Sequence, residues 1–203
     1  MIQTVAVIGG SGFVGRVTIE KLAQAGKRIV VLCRNSDRAK FLKPMGRVGQ
    51  ITIIAGNALD DSALEAVLSP ADAVLNMVGI LAESGAQKFG ALQAELPQRI
   101  GRLAARHGHH AFVHLSAIGA DVGSASRYAQ TKAAGEAGLK AAFPKAVILR
   151  PSVIFGPRDS FFNRFAAMAQ VAPALPLPGG GHMQMQPVYV EDVASAILAG
   201  LGI

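Results

Sequence analysis

Short apolar runs alternate along this chain with longer stretches in which apolar residues recur every three or four positions, up to about residue 150. That alternation predicts strands separated by helices, the βαβ pattern of a parallel sheet. The strands fall at Thr4 to Ile8, Arg28 to Cys33, Gln50 to Ile54, Ala73 to Met77, Ala111 to Leu115 and Ala146 to Leu149, rich in Val and Ile as burial on both faces requires. Helices are expected over 12–25, 36–43, 61–68, 89–107 and 126–142, with Gly26 stopping the first. Pro97 interrupts the fourth and is expected to begin a fresh helix rather than to kink a longer one. Past Pro151 the pattern changes to Phe155-Gly156-Pro157, a Phe161 to Phe165 cluster, and a Pro- and Gly-rich stretch from Pro173 to Gly181. A last strand, Pro187 to Val190, and a helix from Glu191 to Leu201 complete the pattern.

The first strand runs into Gly9-Gly10-Ser11-Gly12-Phe13-Val14-Gly15, which opens the first helix. A glycine turn in that position is built for phosphate. Gly9 takes the sharp bend, Gly12 lets a diphosphate approach without a Cβ in the way, and Gly15 lets the helix pack close to the strand. The anion then meets free backbone N–H groups and the positive end of a helix. The fold expected is therefore α/β, a Rossmann-type doubly wound parallel sheet over 1–150. A small, shortened C-terminal substrate-side lobe over 151–203 is integrated with it. The second strand ends at Arg34, where a site for NAD(H) usually offers a carboxylate to the ribose hydroxyls. A guanidinium there grips a 2′-phosphate instead, so NADP(H) is preferred and NAD(H) remains an option. Arg38 adds a second cation, and Asn35 and Ser36 are expected to cap the next helix. Asn57 and Asp60 fall where an adenine edge is expected, Asp60 or Asp61 serves equally as a helix cap, and Val78, Gly79 and Ile80 form a small apolar floor beside the cofactor.

Composition narrows the classes further. With 203 residues, 51% of them apolar, the chain can bury one α/β core, and one domain is expected. No apolar run approaches the roughly 20 residues of a bilayer span, so no transmembrane segment is expected. The N-terminus carries no basic head, which predicts a mature cytoplasmic start. One cysteine, Cys33, excludes an internal disulfide and sits in an apolar run as a small buried hydrophobe. The formal charge of +7 is concentrated early, in Arg16, Lys21, Lys27, Arg28, Arg34, Arg38, Lys40, Lys43 and Arg47, where dinucleotide phosphates would lie. The basic residues form no stripe interleaved with aromatics, so nucleic acid is not an expected partner. His107, His109 and His110 lack the convergent ligands of a metal site and read as a cationic helix end, and no metal is expected. His182, Met183 and Met185 read as loop or packing residues, with an apolar ligand channel as the alternative.

Tyr128 and Lys132, four residues apart, share one helix face. A phenol is a poor acid or base near neutrality, and a neighbouring ammonium is expected to lower its pKa. Glu136, one turn on, reads as a surface partner for Lys132. The glycine turn, Tyr128-x-x-x-Lys132 and Arg150-Pro151-Ser152 together resemble the extended and atypical short-chain dehydrogenase/reductase superfamily. Val78 to Leu81, His114 to Asp121, Leu149 to Ser152, Phe161 to Phe165 and Gln186 to Ala194 are similar to the nucleotide-binding accessory subunits of respiratory complex I and their bacterial relatives. That resemblance implies NADPH held by the residues from Gly9 to Gly15, including Ser11, Phe13 and Val14, by Arg34, Tyr128 and Lys132, and by Pro151 and Val153 after Arg150. It also implies a mainly structural nucleotide, complex I subunits as partners, and a peripheral place on the cytoplasmic face of the inner membrane. The alternative is a free-standing reductase or epimerase of a sugar- or quinone-like carbonyl, with Tyr128 as acid/base, Lys132 lowering its pKa and Ser116 polarising the carbonyl. The superfamily's hydroxyl falls at Ser116 or at Ile118, and at Ile118 the site would bind without reducing. Relatives in that family continue into more of the substrate lobe than the residues up to Ile203 supply, which implies a less covered pocket.

Overall fold

The computed structural model describes residues 2–172, 180, 182 and 184–203. The Pro- and Gly-rich stretch from Pro173 to Gly181 lies outside the described residues except for Gly180, as does Met183. Among the described residues, β1 (Thr4–Ile8), β2 (Arg28–Cys33), β3 (Ile51–Ala55), β4 (Ala73–Asn76), β5 (Ala111–Leu115) and β6 (Val147–Leu149) form one parallel sheet in the order β3-β2-β1-β4-β5-β6. Strand order reverses between β1 and β4, so the strands' carboxyl ends diverge there and open a crevice. Alternate residues of each strand feed opposite faces. Val5 and Val7 pack with Ile19 and Leu22 of α1 (Phe13–Gln24) and with Val193 and Ile197 of α7 (Val190–Leu201). Ala6 and Ile8 pack with Leu64 and Leu68 of α3 (Asp61–Leu68), Leu96 and Ile100 of α4 (Leu96–Arg106), and Leu139 of α5 (Arg127–Ala142). This two-sided burial is why the strands read as unbroken apolar runs.

Helix α2 is one short turn (Ser36–Ala39), capped by the Asn35 side chain and continued by a 3₁₀ turn over Lys40–Met45. Pro97 does not start a separate helix. The backbone runs helically from a π turn over Gly90–Glu95 straight into α4, with Leu96 N–H reaching back five residues to Ala91. The physical reason is that Pro97 has no N–H to donate to Gln93, and the wider turn accommodates its ring. The Gln93 carbonyl points at α5 instead, so close that a Cβ on Gly135 would sit 1.9 Å from it. Two elements lie beyond the expected list. Strand β7 (Ile154–Phe155) pairs in parallel with β8 (Val188–Tyr189), and α6 (Phe162–Ala169) follows a turn gathered by Asp159, which accepts from the amides of Gly156, Phe161 and Phe162.

Candidate functional site

The crevice between β1 and β4 holds a cleft of about 410 Å³ lined by Gly9, Ser11, Gly12, Arg34, Asn57, Val78 and Gly79, with Cys33, Ile80 and Leu92 among its apolar walls. Gly9 takes φ +89°, and a Cβ there would meet the Met77 backbone at 2.9 Å. Gly15 packs so tightly on Gly10 that a Cβ would lie 2.4 Å from its carbonyl oxygen. At Gly12 a Cβ would meet only the Gly9 carbonyl oxygen, at 3.5 Å, so this edge of the turn is open. Helix α1 starts there with no side-chain cap and no acidic residue in its first turn, whereas Asn35 caps α2 and Asp60 caps α3. The first N–H groups of α1 are thus left for an anion. Phe13, Val14 and Gly15 lie within α1, outside the cleft lining. Val14 packs on the core and Gly15 is buried, so these two can serve a ligand only through main-chain groups.

Asp60 resolves its two expected roles as a helix cap, accepting from Ser62 N, while Asn57 lines the cleft and accepts from Leu59 N. Cys33 is buried on the cleft wall, and burial pushes its thiol pKa up, away from nucleophilic use. The early cations do not gather at the cleft as expected. Arg34 lines it, but Lys21 pairs with Glu191, Lys40 with Asp37, Lys27 binds the Ile2 carbonyl, and Arg16 stacks over Phe41 at 4.6 Å.

Tyr128 and Lys132 stand on α5, and neither is among the residues that line the cleft. Lys132 is 3% exposed, donates to the Leu115 carbonyl at 3.2 Å, and comes near enough to Gly79 that a Cβ on that glycine would lie 3.4 Å from Nζ. Burial draws its ammonium down to about 8, opposed by the Glu136 carboxylate. The expected lowering of Tyr128 is not what the structure has. Burial pushes this phenol up, its ring rests edge-on to Phe89, and Lys132 Nζ lies 6.0 Å from the ring centroid with its hydrogen bond given to a main-chain oxygen. Glu136 is likewise no surface partner of Lys132. It is 6% exposed and held by Arg150, whose Nε lies 3.0 and 3.1 Å from its two oxygens and whose Nη2 also contacts it. Burial raises the Glu136 carboxyl, and Arg150 more than offsets that, leaving it below its usual range.

Ser116 is 5% exposed and lines neither cavity, whereas Ile118, 59% exposed, lines the second groove. The Ser116 Oγ lies near enough to Glu136 to help lower that carboxyl, yet makes no geometrically formed hydrogen bond among the described residues. Beneath it His114 accepts from the Asn76 amide at 3.2 Å through Nδ1 and leaves Nε2 buried without a partner among the described residues. Burial, then the nearby Lys132 charge, draws its pKa down to about 4. Gln93 was not singled out by sequence, yet it joins the cleft floor to α5: its amide donates to the Ile80 carbonyl at 2.6 Å, and Thr131 Oγ1 donates to its oxygen at 2.9 Å. Its one legible sign is its place four residues before Pro97. Pro151 lies apart from the first cleft in a second groove of about 560 Å³ with Ile118, Arg150 and Ser152, and Val153 lines neither. Among the described residues no group of three metal-ligating side chains occurs, and no helix is long and apolar enough to cross a membrane. His107 pairs with Glu65, and His109 is buried against main-chain carbonyls. His182 and Met185 line neither cavity.

Comparison with known proteins places this geometry. Residues 5–202 match the family described as "NAD dependent epimerase/dehydratase family". The chain is 35% identical over 197 residues to the Arabidopsis thaliana protein named NADH dehydrogenase (ubiquinone) 1 alpha subcomplex subunit 9, mitochondrial, covering 96% of this chain and 49% of that one. It is 31% identical over 196 residues to a ceramide reductase of Caulobacter vibrioides, covering 96% and 60%. The chain thus spans about half the length of the mitochondrial relatives it matches. Among solved structures it resembles the UDP-glucuronic acid 4-epimerase of Bacillus cereus in complex with UDP-glucuronic acid and NAD, with a TM-score of 0.80 at 19% identity over 99% of this chain and 74% of that one, a likeness of fold. With all but its first four residues and its last one matched, the chain belongs to the NAD dependent epimerase/dehydratase family.

Proposed function

We propose that this chain holds NADP(H) in the cleft between β1 and β4 and keeps it as a structural nucleotide, as an accessory or assembly subunit of a respiratory complex I on the cytoplasmic face of the inner membrane. The observation that carries the cofactor reading is Arg34 in a cleft whose lining, among the described residues, holds no acidic side chain. A carboxylate at about 4 Å would repel a 2′-phosphate by roughly 1 to 4 kcal/mol, whereas a guanidinium binds it with two hydrogen bonds. Gly9, Ser11 and Gly12, with the main-chain amides of Phe13 and Val14, take the diphosphate, and Gly15 keeps α1 close. Asn57 meets the adenine, Val78 and Gly79 floor the cleft, Lys132 reaches the nicotinamide ribose, and Tyr128 borders the nicotinamide end. The complex I partner rests on the relatives that carry that name. Mass spectrometry of nucleotide released from purified protein tests the cofactor, and recovery of NADP(H) is expected. Release of NAD(H) alone would overturn the 2′-phosphate site. Co-purification in mild detergent tests the partner, and recovery of no complex I component would remove it.

A second reading has its own observation: Ser116, Tyr128 and Lys132 are all present, Lys132 stands against the Gly79 rim of the cleft, and the Ser116 hydroxyl is unengaged among the described residues. This set fits a reductase or epimerase of a sugar- or quinone-like carbonyl, and one relative is named a ceramide reductase. The nicotinamide would supply hydride, Tyr128 the proton, and Ser116 a hydrogen bond to the carbonyl oxygen. Turnover abolished in Tyr128→Phe with nucleotide binding intact would establish it. Absence of NADPH oxidation across a broad carbonyl panel would leave the structural role.

A further inference from the structure

Lys132 and Glu136 are one turn apart on α5, and both are almost wholly buried. At that spacing a lysine and a glutamate are within reach of each other, though this order is the weaker one. Here they do not pair: both oxygens of Glu136 are engaged by Arg150, which arrives from the end of β6, and Lys132 donates to the Leu115 carbonyl beside Gly79. We propose that Arg150 is a positioning residue for the dinucleotide site: by occupying the Glu136 carboxylate it prevents that carboxylate from capturing Lys132, and so keeps the ammonium at the Gly79 rim of the cleft.

The case rests on which charges face Lys132. Tyr128 flanks it on its own helix, His114 faces it from β5, Glu136 lies one turn on, and Arg150 stands behind Glu136. His114 is neutral near pH 7, because its pKa is drawn down to about 4 first by burial and then by the Lys132 charge. Glu136 is thus the carboxylate acting on Lys132. A buried carboxylate stripped of its partner is strongly disfavoured, and a cation that moves to it relieves that cost. Without Arg150 that cation is Lys132. Arg150 itself is half exposed, so its side chain reaches inward from the protein surface to perform this task.

The inference rests on the reading that Lys132 contacts the nucleotide, and the experiment separates the two. In the full chain, Arg150→Leu, Glu136→Gln, the double variant and Lys132→Met are titrated with NADPH by calorimetry. The side-chain resonances of Lys132 are followed against pH by NMR without nucleotide. Arg150→Leu is expected to lose about tenfold in NADPH affinity and to shift the Lys132 titration to higher pH, since a bare carboxylate now holds the charged form. The double variant is expected to recover wild-type affinity within about threefold, a rescue that a merely structural role of Arg150 would not produce. Glu136→Gln alone is expected to shift the Lys132 titration to lower pH, which keeps the proposal open to test should Arg150→Leu not fold. An unmoved Lys132 titration in Glu136→Gln, or in a folded Arg150→Leu, overturns the proposal, as does a double variant as weak as Arg150→Leu. Failure of wild-type protein to bind NADPH, or wild-type affinity in Lys132→Met, would instead overturn the nucleotide reading while the NMR arm still decides whether Arg150 controls the lysine.

Discussion

His114 and Lys132 lie together under the cleft, and burial sets the charge of both. For His114 the folded-state pKa of about 4 lies below the ordinary value of 6.5, so between these limits the unfolded chain binds the extra proton. Stability is therefore full above about pH 6.5, declines as pH falls toward 4, and levels off below it, by about 3 kcal/mol over that window from this group. Urea unfolding at pH 7 and at pH 4.5 measures the decline, and His114→Asn, which removes the titrating ring, is expected to flatten it. Lys132 has the same sign higher up: its pKa of about 8 against an ordinary 10.5 means that stability rises with pH through that interval. Affinity for a nucleotide ribose, which needs the ammonium, falls through the same interval. A second prediction belongs to Arg34. Its replacement by Glu puts a carboxylate where the 2′-phosphate would sit, and repulsion of about 1 to 4 kcal/mol corresponds to at least a fivefold loss in NADPH affinity. NADH affinity is expected to hold or improve, and calorimetry with both nucleotides checks the reversal. Gly9, Arg34 and the Tyr128/Lys132 pair were legible because each depends on local chain geometry alone. Glu136 was not, since the local rule pairs it with Lys132 and only the arrival of Arg150 from a distant strand decides otherwise.

Elements answer to packing as much as to propensity, and α5 is the clearest case. The Gln93 carbonyl, freed by Pro97, occupies the space where a side chain at Gly135 would begin. Gly135→Ala gains helix propensity but must push α5 away from the π turn and drag Tyr128 and Lys132 with it. Overpacking of this kind is expected to cost about 3 kcal/mol, seen as a fall of roughly 6–12 °C in thermal unfolding. Gly90→Ala is the contrast: a Cβ there meets nothing within 4 Å, and a gain of about 0.5–1 kcal/mol is expected from the stiffer backbone. Equal effects at the two positions would refute the close-approach account. The same logic explains what the hydrophobic pattern revealed. Strands β1, β2 and β5 begin and end where their predominantly apolar runs do, because both faces are covered. β7 has only two residues, too few to show a period, although its partner β8 falls within the expected 187–190 strand, and α6 is started by an Asp159 carboxylate whose role needs the folded turn around it. Pro97 was visible as a disturbance, but whether it breaks or widens a helix depends on what α5 offers the orphaned Gln93 carbonyl.

At the scale of the whole molecule, the excess of positive charge is spread rather than focused. Many early cations bind local carboxylates, carbonyls or an aromatic ring, and Arg34 is the cation in the cleft lining. Nucleotide affinity should then come from a few fixed contacts and the amides of one helix end, not from a broad basic field. Such contacts exist only in the folded chain, so occupancy must stabilise it by mass action. NADPH at about one hundred times its dissociation constant adds about 2.7 kcal/mol, a rise of roughly 5–11 °C in unfolding temperature for a chain of this size. NADH at the same concentration is expected to give a distinctly smaller rise, and in Arg34→Glu the order of the two nucleotides should invert. A thermal scan with each nucleotide across a range of salt adds the last discrimination. A broad basic field acting over several ångströms would lose its effect steeply as salt rises, whereas direct two-pronged contacts and helix-end amides act at short range and are screened less. A rise with NADPH that vanishes at moderate salt would place the nucleotide on the outer surface and empty the cleft of its proposed role.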